Sequence, residues 1–273
     1  MKKICFLLLS CMVFFSCKKN SSAPGEKTIL LTRSVSNGKT NYTFVYSPGK
    51  KLTRIEGYDE TPANAPSITF DITYHDNDQI EQLTSYQEPG SVPITRSVIQ
   101  YNTDNKIQSA AIYDLQGPTP NVATSNSTWT YNANGNFIKL VRKLNNDKLI
   151  EQTNISYYDN NTIKQIDGYG EKDGLLVLKS KTLFSVPAGD YPPGLEQLMI
   201  ILGADFTASM YNETIQRYQY DQNGVVTYNT MQQMSAREYN ADGTLNKQTI
   251  TLKKIKPADT DVITFKQYEY STN

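Results

Sequence analysis

The residues able to do chemistry are few and poorly grouped. His75 is the only histidine in 273 residues, and a general base or metal ligand at that position finds no second imidazole to support it. A place on the rim of a hairpin turn explains it better. The runs His75-Asp76-Asn77-Asp78 and Tyr158-Asp159-Asn160-Asn161 are rich in oxygen, like calcium loops. They lack the calcium loop's ligand register with its terminal Glu, and turn chemistry accounts for them. Glycoside hydrolysis needs two carboxylates held at a fixed separation, and no spacing among the 27 acidic residues sets such a pair. The Gly-x-Ser-x-Gly elbow, the Walker-type loop and the dinucleotide fingerprint are absent, while Gly168, Gly170 and Gly174 read as scattered hairpin glycines. No catalytic residue, metal ligand or cofactor is expected, and the chain is not expected to be an enzyme.

One group of side chains suits a ligand. Trp129, Tyr131, Tyr157, Tyr158, Tyr218 and Tyr220 lie near expected hairpin tips. Flat amphipathic rings with Asn and Gln nearby are suited to stacking on sugars. Packing in the core or across strands is the commoner use of such rings, and Trp129 fits a core position as well as a ligand site.

Cys5, Cys11 and Cys17 are the only cysteines, so the body of the chain has no thiol for disulfides, nucleophilic catalysis or metal. Lys2 and Lys3 precede an apolar run from Ile4 to Phe15, too short to span a bilayer and suited to the h-region of a secretory signal. Phe14-Phe15-Ser16-Cys17 resembles the lipobox of bacterial lipoproteins, and Phe14 in place of the usual Leu resembles the looser form in the Bacteroidetes. That resemblance implies a signal peptide over 1–16, a lipidated Cys17, and a polar tether over 17–27. Leu8-Leu9-Ser10-Cys11 is a rival lipobox with a shorter h-region before it, and an ordinary signal peptide is the alternative to both. Several acyl chains on one cysteine would hold the protein at a membrane. Lys18 and Lys19 leave open which side it faces, because surface-export signals in that bacterial group tend to be acidic there.

The elements that must position any site are strands. Nineteen tyrosines against nine phenylalanines and one tryptophan, with abundant Thr, Asn and Gln, favour strands and turns over helices. Acidic and basic residues balance at 27 each, which removes the basic footprint of a nucleic-acid binder. A motif recurs at Tyr46–Leu52, Tyr74–Ile80, Tyr101–Ile107, Tyr131–Phe137, Tyr157–Ile163, Tyr220–Val226 and Tyr239–Leu245. In each, a tyrosine precedes an apolar residue by six positions. In Tyr131-Asn-Ala-Asn-Gly135-Asn-Phe137, a type I turn closed by Gly135 at positive φ sets Tyr131 directly across from Phe137. The positions matching Gly135 are Asp78, Asn105, Asn161, Gly224 and Gly243, types that tolerate positive φ. Lys50 is the exception, where Pro48-Gly49 suggests a differently built turn. The first five tyrosines are spaced by 28, 27, 30 and 26 residues, room for one hairpin and its return. A meander of about fourteen to eighteen strands follows.

The motif resembles the YD repeats of RHS-type shell proteins, most clearly at Tyr220-Asp221-Gln222-Asn223-Gly224 and Tyr239-Asn240-Ala241-Asp242-Gly243. With the lipobox, the chain also resembles Bacteroidetes lipoproteins of unknown function whose domain is a porin-like meander. The resemblance spans roughly residues 40 to 250 and implies a fold, not an activity. Strands crossing lipid need a continuously apolar outward face. Here Thr, Gln, Asn, Lys and Asp interrupt the second face, and the mean hydropathy is -0.52.

Between Tyr157 and Tyr220 the interval widens to 63 residues. Leu195-Glu-Gln-Leu-Met-Ile-Ile-Leu202 lacks strand alternation, and Pro192-Pro193 and Gly203 suit the ends of a helix, expected over 194–209 as a plug or as an interaction element. Because the motif resumes beyond it, one domain over 28–273 is favoured to a seam near 190.

The fold class expected is all-β: an antiparallel hairpin-repeat meander forming a strongly curved sheet or soluble barrel, with one inserted helix. The function expected is a non-enzymatic envelope lipoprotein at the outer membrane. It would bind or scaffold, with a glycan or another envelope protein as partner and no nucleic acid. The alternative is a soluble barrel carrying an apolar ligand such as lipid. A glycan hydrolase comes third.

Overall fold

The computed structural model describes residues 29–58, 65–159, 162–185, 214–241, 244–254 and 262–272. The signal segment, Cys17, the tether, the helix expected over 194–209 and the expected positive-φ residues Asn161 and Gly243 lie outside the described residues.

The described residues form β1 (Ile29–Ser36), β2 (Lys39–Tyr46), β3 (Leu52–Gly57), β4 (Ile68–Tyr74), β5 (Ile80–Gln87), β6 (Val92–Tyr101), β7 (Ile107–Asp114), β8 (Ala123–Tyr131), β9 (Phe137–Leu144), β10 (Leu149–Tyr157), β11 (Ile163–Lys172), β12 (Leu175–Phe184), β13 (Thr214–Tyr220), β14 (Val226–Tyr239), β15 (Leu245–Lys254) and β16 (Val262–Thr272). The order in the sheet is the order in the sequence, with β16 returning beside β1. The antiparallel meander is the expected one.

The chain divides into two compact units. One comprises Trp129–Arg142 and Lys148–Phe265; the other comprises the described part of Ser22–Thr128, with Lys143–Asp147 and Lys266–Asn273. The division falls inside β8, β9 and β16 and in the β9–β10 turn, not near residue 190.

The tips are built as the spacing requires. Tyr46↔Leu52, Tyr74↔Ile80, Tyr101↔Ile107, Tyr157↔Ile163, Tyr220↔Val226 and Tyr239↔Leu245 are cross-strand partners. Tyr131 meets Phe137 with ring centroids 6.1 Å apart. In every tip the residue after the tyrosine donates its N–H across the turn, from Ser47 to Lys51 O at 2.8 Å through Asn132 to Asn136 O at 2.9 Å. The side chain at that position adds a second clasp: Asn132 Oδ1 accepts from Asn136 N at 2.8 Å and Asp221 Oδ1 from Val225 N at 2.9 Å. This is why Asn or Asp so often follows the tyrosine.

Gly135 sits at φ 82°, Asp78 at 70°, Asn105 at 59° and Gly224 at 79°. Lys50 corrects the expectation made for it. It sits at φ 64°, and its N–H reaches Ser47 O at 2.8 Å as in the other tips. Pro48 presets the φ that the first central position of a type I turn needs, so the turn is the same, and Lys50 bears the left-handed strain of roughly 1–2 kcal/mol. Replacing Gly135 by Val, a β-branched residue at positive φ, is expected to destabilise the protein by about 1 to 3 kcal/mol. A thermal melt checks this; an unchanged midpoint would contradict the turn.

Tyrosine rather than phenylalanine has a reason that motif spacing does not reveal. Ladders between successive hairpins stop short of the tips: β1–β2 at Arg33↔Thr43, β3–β4 at Arg54↔Asp71 and β5–β6 at Gln82↔Val98. Two residues further, Leu31, Leu52 and Ile80 hold carbonyls beyond the end of those ladders. The hydroxyls of Tyr46, Tyr74 and Tyr101 donate to them at 2.9, 2.8 and 3.0 Å, and Tyr157 does the same for Phe137 O at 2.6 Å. Each of these four tyrosines thus lies across from the aliphatic mate of its own hairpin and donates its hydroxyl to a carbonyl of an earlier strand, satisfying an acceptor that burial would otherwise penalise.

Candidate functional site

The structure does not bring the six aromatic candidates together. In the unit containing Trp129–Arg142 and Lys148–Phe265, the buried cluster is Phe137, Leu140, Ile155, Ile163, Phe184 and Ile215, and Trp129, Tyr131 and Tyr157 pack against it. These three rings are structural. Burial pushes the Tyr131 hydroxyl well above its usual range, because the phenolate would lose its hydration. Trp129 Nε1 is buried without an acceptor among the described residues. Tyr158, one step past the tip tyrosine, donates its hydroxyl to Phe184 O at 2.8 Å, and Lys164 Nζ lies 5.7 Å from its ring centroid.

Tyr218 and Tyr220 lie elsewhere. Ile215 on β13 is fully buried in the cluster, and strand alternation then directs Arg217 and Gln219 to the same face and Tyr218 and Tyr220 to the opposite one. The motif at Tyr220 is therefore inverted. Its mate Val226 is 47% exposed, whereas Leu52, Ile107 and Leu245 are 0% exposed. Three strands, β11, β12 and β13, separate Tyr157 from Tyr220 and pair antiparallel in turn. This odd number places the Tyr220 tip at the other end of the strands. The expectation that the motif resumes unchanged is thus corrected: the residue types recur, but strand parity reverses both end and face. At that end Lys172 Nζ donates to Gln222 O at 3.4 Å, tying the β11–β12 turn to the β13–β14 turn, where Leu175, Leu176 and Val225 are also exposed.

The face opposite the cluster carries a continuous row of polar and aromatic side chains. Asn154, Asp167, Lys181, Tyr218 and Asn229 are cross-strand partners in succession from β10 to β14. Such a row spans about 19 Å at roughly 4.8 Å per strand. Tyr169, two residues along β11 from Asp167, lies on the same face, because its neighbour Gly168 pairs with buried Thr153 and a Cβ on it would come 2.5 Å from Ser180 Oγ. Gly168 is thus a site of close strand approach inside β11, not a hairpin glycine, and Gly170 also lies within that strand. Only Gly174, at φ 80°, occupies a turn.

Two internal clasps order the face: Gln165 Nε2 donates to Asp167 Oδ2 at 2.6 Å, and Gln152 Nε2 to Asn154 Oδ1 at 3.0 Å. Asp167 Oδ1 and Asn229 Oδ1 are shielded from water and have no donor among the described residues. The sequence reading picked out Tyr218 but missed Tyr169, Asp167 and Asn229. The period-2 alternation of Gln165, Asp167 and Tyr169 along β11 was the signal available, and it acquires meaning only once the register of five strands is known.

His75 is exposed on its turn, its N–H bonded to Gln79 O at 2.8 Å, which is the turn role expected of it. Among the described residues, no three His, Cys, Asp or Glu side chains stand together as metal ligands. A partly buried ion pair, Arg142 Nη1 to Glu151 Oε1 at 3.3 Å, lies in the unit that holds the cluster. Burial raises the Glu151 carboxyl above its ordinary range, outweighing the opposite pull of Arg142.

Neither a protein-family model nor a curated protein matches this chain. Among solved structures the chain is similar to a porin-like protein from Bacteroides uniformis, at 15% identity over 90% of this chain and 94% of that one, with a TM-score of 0.53. A porin-like protein from Bacteroides vulgatus aligns at 9% identity over 89% of this chain and 99% of that one, with a TM-score of 0.42. The likeness to the Bacteroides uniformis protein is one of fold, and in fold it agrees with the all-β meander expected from the sequence.

Proposed function

We propose that this chain is a lipid-anchored, non-catalytic module of the bacterial cell envelope, held at the outer membrane through Cys17, that binds a glycan or another envelope protein. The observation that carries the binding role is the separation of the two sheet faces. One face is filled by a packed cluster with Trp129, Tyr131 and Tyr157 against it, so the side on which an apolar cargo would ride is already occupied. The opposite face presents Tyr218 and Tyr220 beside Lys181, Asp167 and Asn229, a mixture of ring and amide surface that suits recognition more than storage of lipid. Support for the anchor comes from the lipobox and the polar tether that follows it. β1 begins at Ile29, opposite Thr272 of β16, two residues along the sequence from the last residue of the expected tether over 17–27.

Cys17→Ala is expected to move the protein from the membrane fraction to the soluble fraction, read by fractionation of cells expressing the full chain. Retention in the membrane fraction would overturn the anchor.

A further inference from the structure

We propose that the face of β10–β14 opposite the buried cluster binds an uncharged polysaccharide, laid across the strands along the row Asn154, Asp167, Lys181, Tyr218 and Asn229. This rests on the reading of the protein as a binding module and names its ligand class and its site. The row runs without a break through five strands, each residue the cross-strand partner of the next, so these side chains share one surface over about 19 Å. That is the form of a platform for a chain, not a pocket for a small molecule.

The chemistry favours sugars over the other occupants of such a surface. Tyr169 and Tyr218 supply amphipathic rings, which stack on the C–H faces of pyranosides. One cation, Lys181, and one anion, Asp167, balance within the row, which gives a phosphate-rich or polyanionic ligand no excess of positive charge to meet. A protein partner would be met by a core of apolar side chains depleted in charge, whereas four of the five positions here are Asn or charged. Among the described residues Asp167 Oδ1 and Asn229 Oδ1 have no donor, and hydroxyl groups are donors. A side-chain rotation that presents either oxygen to a sugar hydroxyl exchanges an orphaned acceptor for a bonded one, so adjustment of the face and binding reinforce each other.

The test is affinity electrophoresis of the detergent-purified full chain through native gels containing laminarin, xylan, galactomannan or dextran, one polysaccharide per gel. Retardation of the parent protein by at least one of them is expected, with Tyr218→Ala and Tyr169→Ala each weakening that retardation tenfold or more at an unchanged melting temperature. Tyr218→Phe, which keeps the ring, is expected to retain most of it. Retardation that survives both alanine variants would overturn this site while leaving a glycan partner in place. Retardation in none of the four gels would overturn the inference and leave another envelope protein as the partner. Should one alanine variant fail to fold, the other, with Asn229→Ala, carries the same comparison.

Discussion

Ile107→Ala is expected to destabilise the protein by about 2 to 5 kcal/mol, while Val226→Ala, at the same place in the motif, is expected to change stability by no more than about 0.5 kcal/mol. Ile107 is fully buried across from Tyr101. Truncating it removes three carbons from a site whose neighbours are held by the ladder and cannot collapse into the space. Val226 has the same relation to Tyr220 but stands 47% exposed, so its truncation gives up little burial and leaves no cavity. Urea midpoints of the two variants measure the difference. Equal losses at the two sites would mean that Tyr220 and Val226 face the core as the other pairs do, and the inverted parity of that tip would be wrong.

Alkali is expected to unfold the protein over a pH range in which most carboxylate and histidine interactions no longer change. Burial pushes the hydroxyl of Tyr74 up to about 12, with the nearby Asp78 carboxylate adding to the rise. Burial also raises Tyr46, helped by Tyr74, and Tyr131. In the unfolded chain these groups titrate near their ordinary value of about 10. The folded state therefore holds the protons more tightly than the unfolded state does. The stability they contribute is complete below about pH 10 and is lost as pH rises through the folded values. For each such tyrosine the loss approaches about 1.4 kcal/mol per pH unit between the two values. The hydroxyl that loses its proton is the donor to the preceding hairpin, at Leu52 O for Tyr74 and Leu31 O for Tyr46, so ionisation and loss of the inter-hairpin bond are one event. Chemical denaturation at a series of pH values from neutral upward should show midpoints that are flat to about pH 10 and fall steeply above it. Tyr74→Phe should cost about 1 kcal/mol at neutral pH and make the fall above pH 10 shallower. A fall of unchanged steepness in that variant would remove Tyr74 from the account.

These two results concern the feature most legible in the chain. A tyrosine six residues before an aliphatic residue, with Asn, Asp or Gly between, specifies a tight reversal through local sterics alone. The φ of Gly135 or Asp78 and the side-chain clasp of Asn132 are decided within seven residues. For the same reason the cross-strand mates could be paired from spacing, and the meander followed from placing neighbours side by side. At Lys50 the residue type misled, because Pro48 held the turn to the common form and a lysine accepted the strain.

What local sterics cannot carry is parity over distance. Whether a strand face turns toward the cluster depends on how many strands and bulges lie between it and the last fixed point. The described part of the run between Tyr157 and Tyr220 contains three strands, β11, β12 and β13, in an interval read as a missing tip, and Tyr220 faces away from the buried cluster. The ladder of tyrosine hydroxyls was equally out of reach, since each joins a ring to a carbonyl some twenty residues earlier. So was the row from Asn154 to Asn229, whose members are scattered over seventy-five positions and become neighbours only through the register of five strands. Turn chemistry is a property of a short stretch of chain and can be read from it; the assignment of faces is a property of the whole pairing pattern, because a single extra residue or strand inverts every side chain that follows.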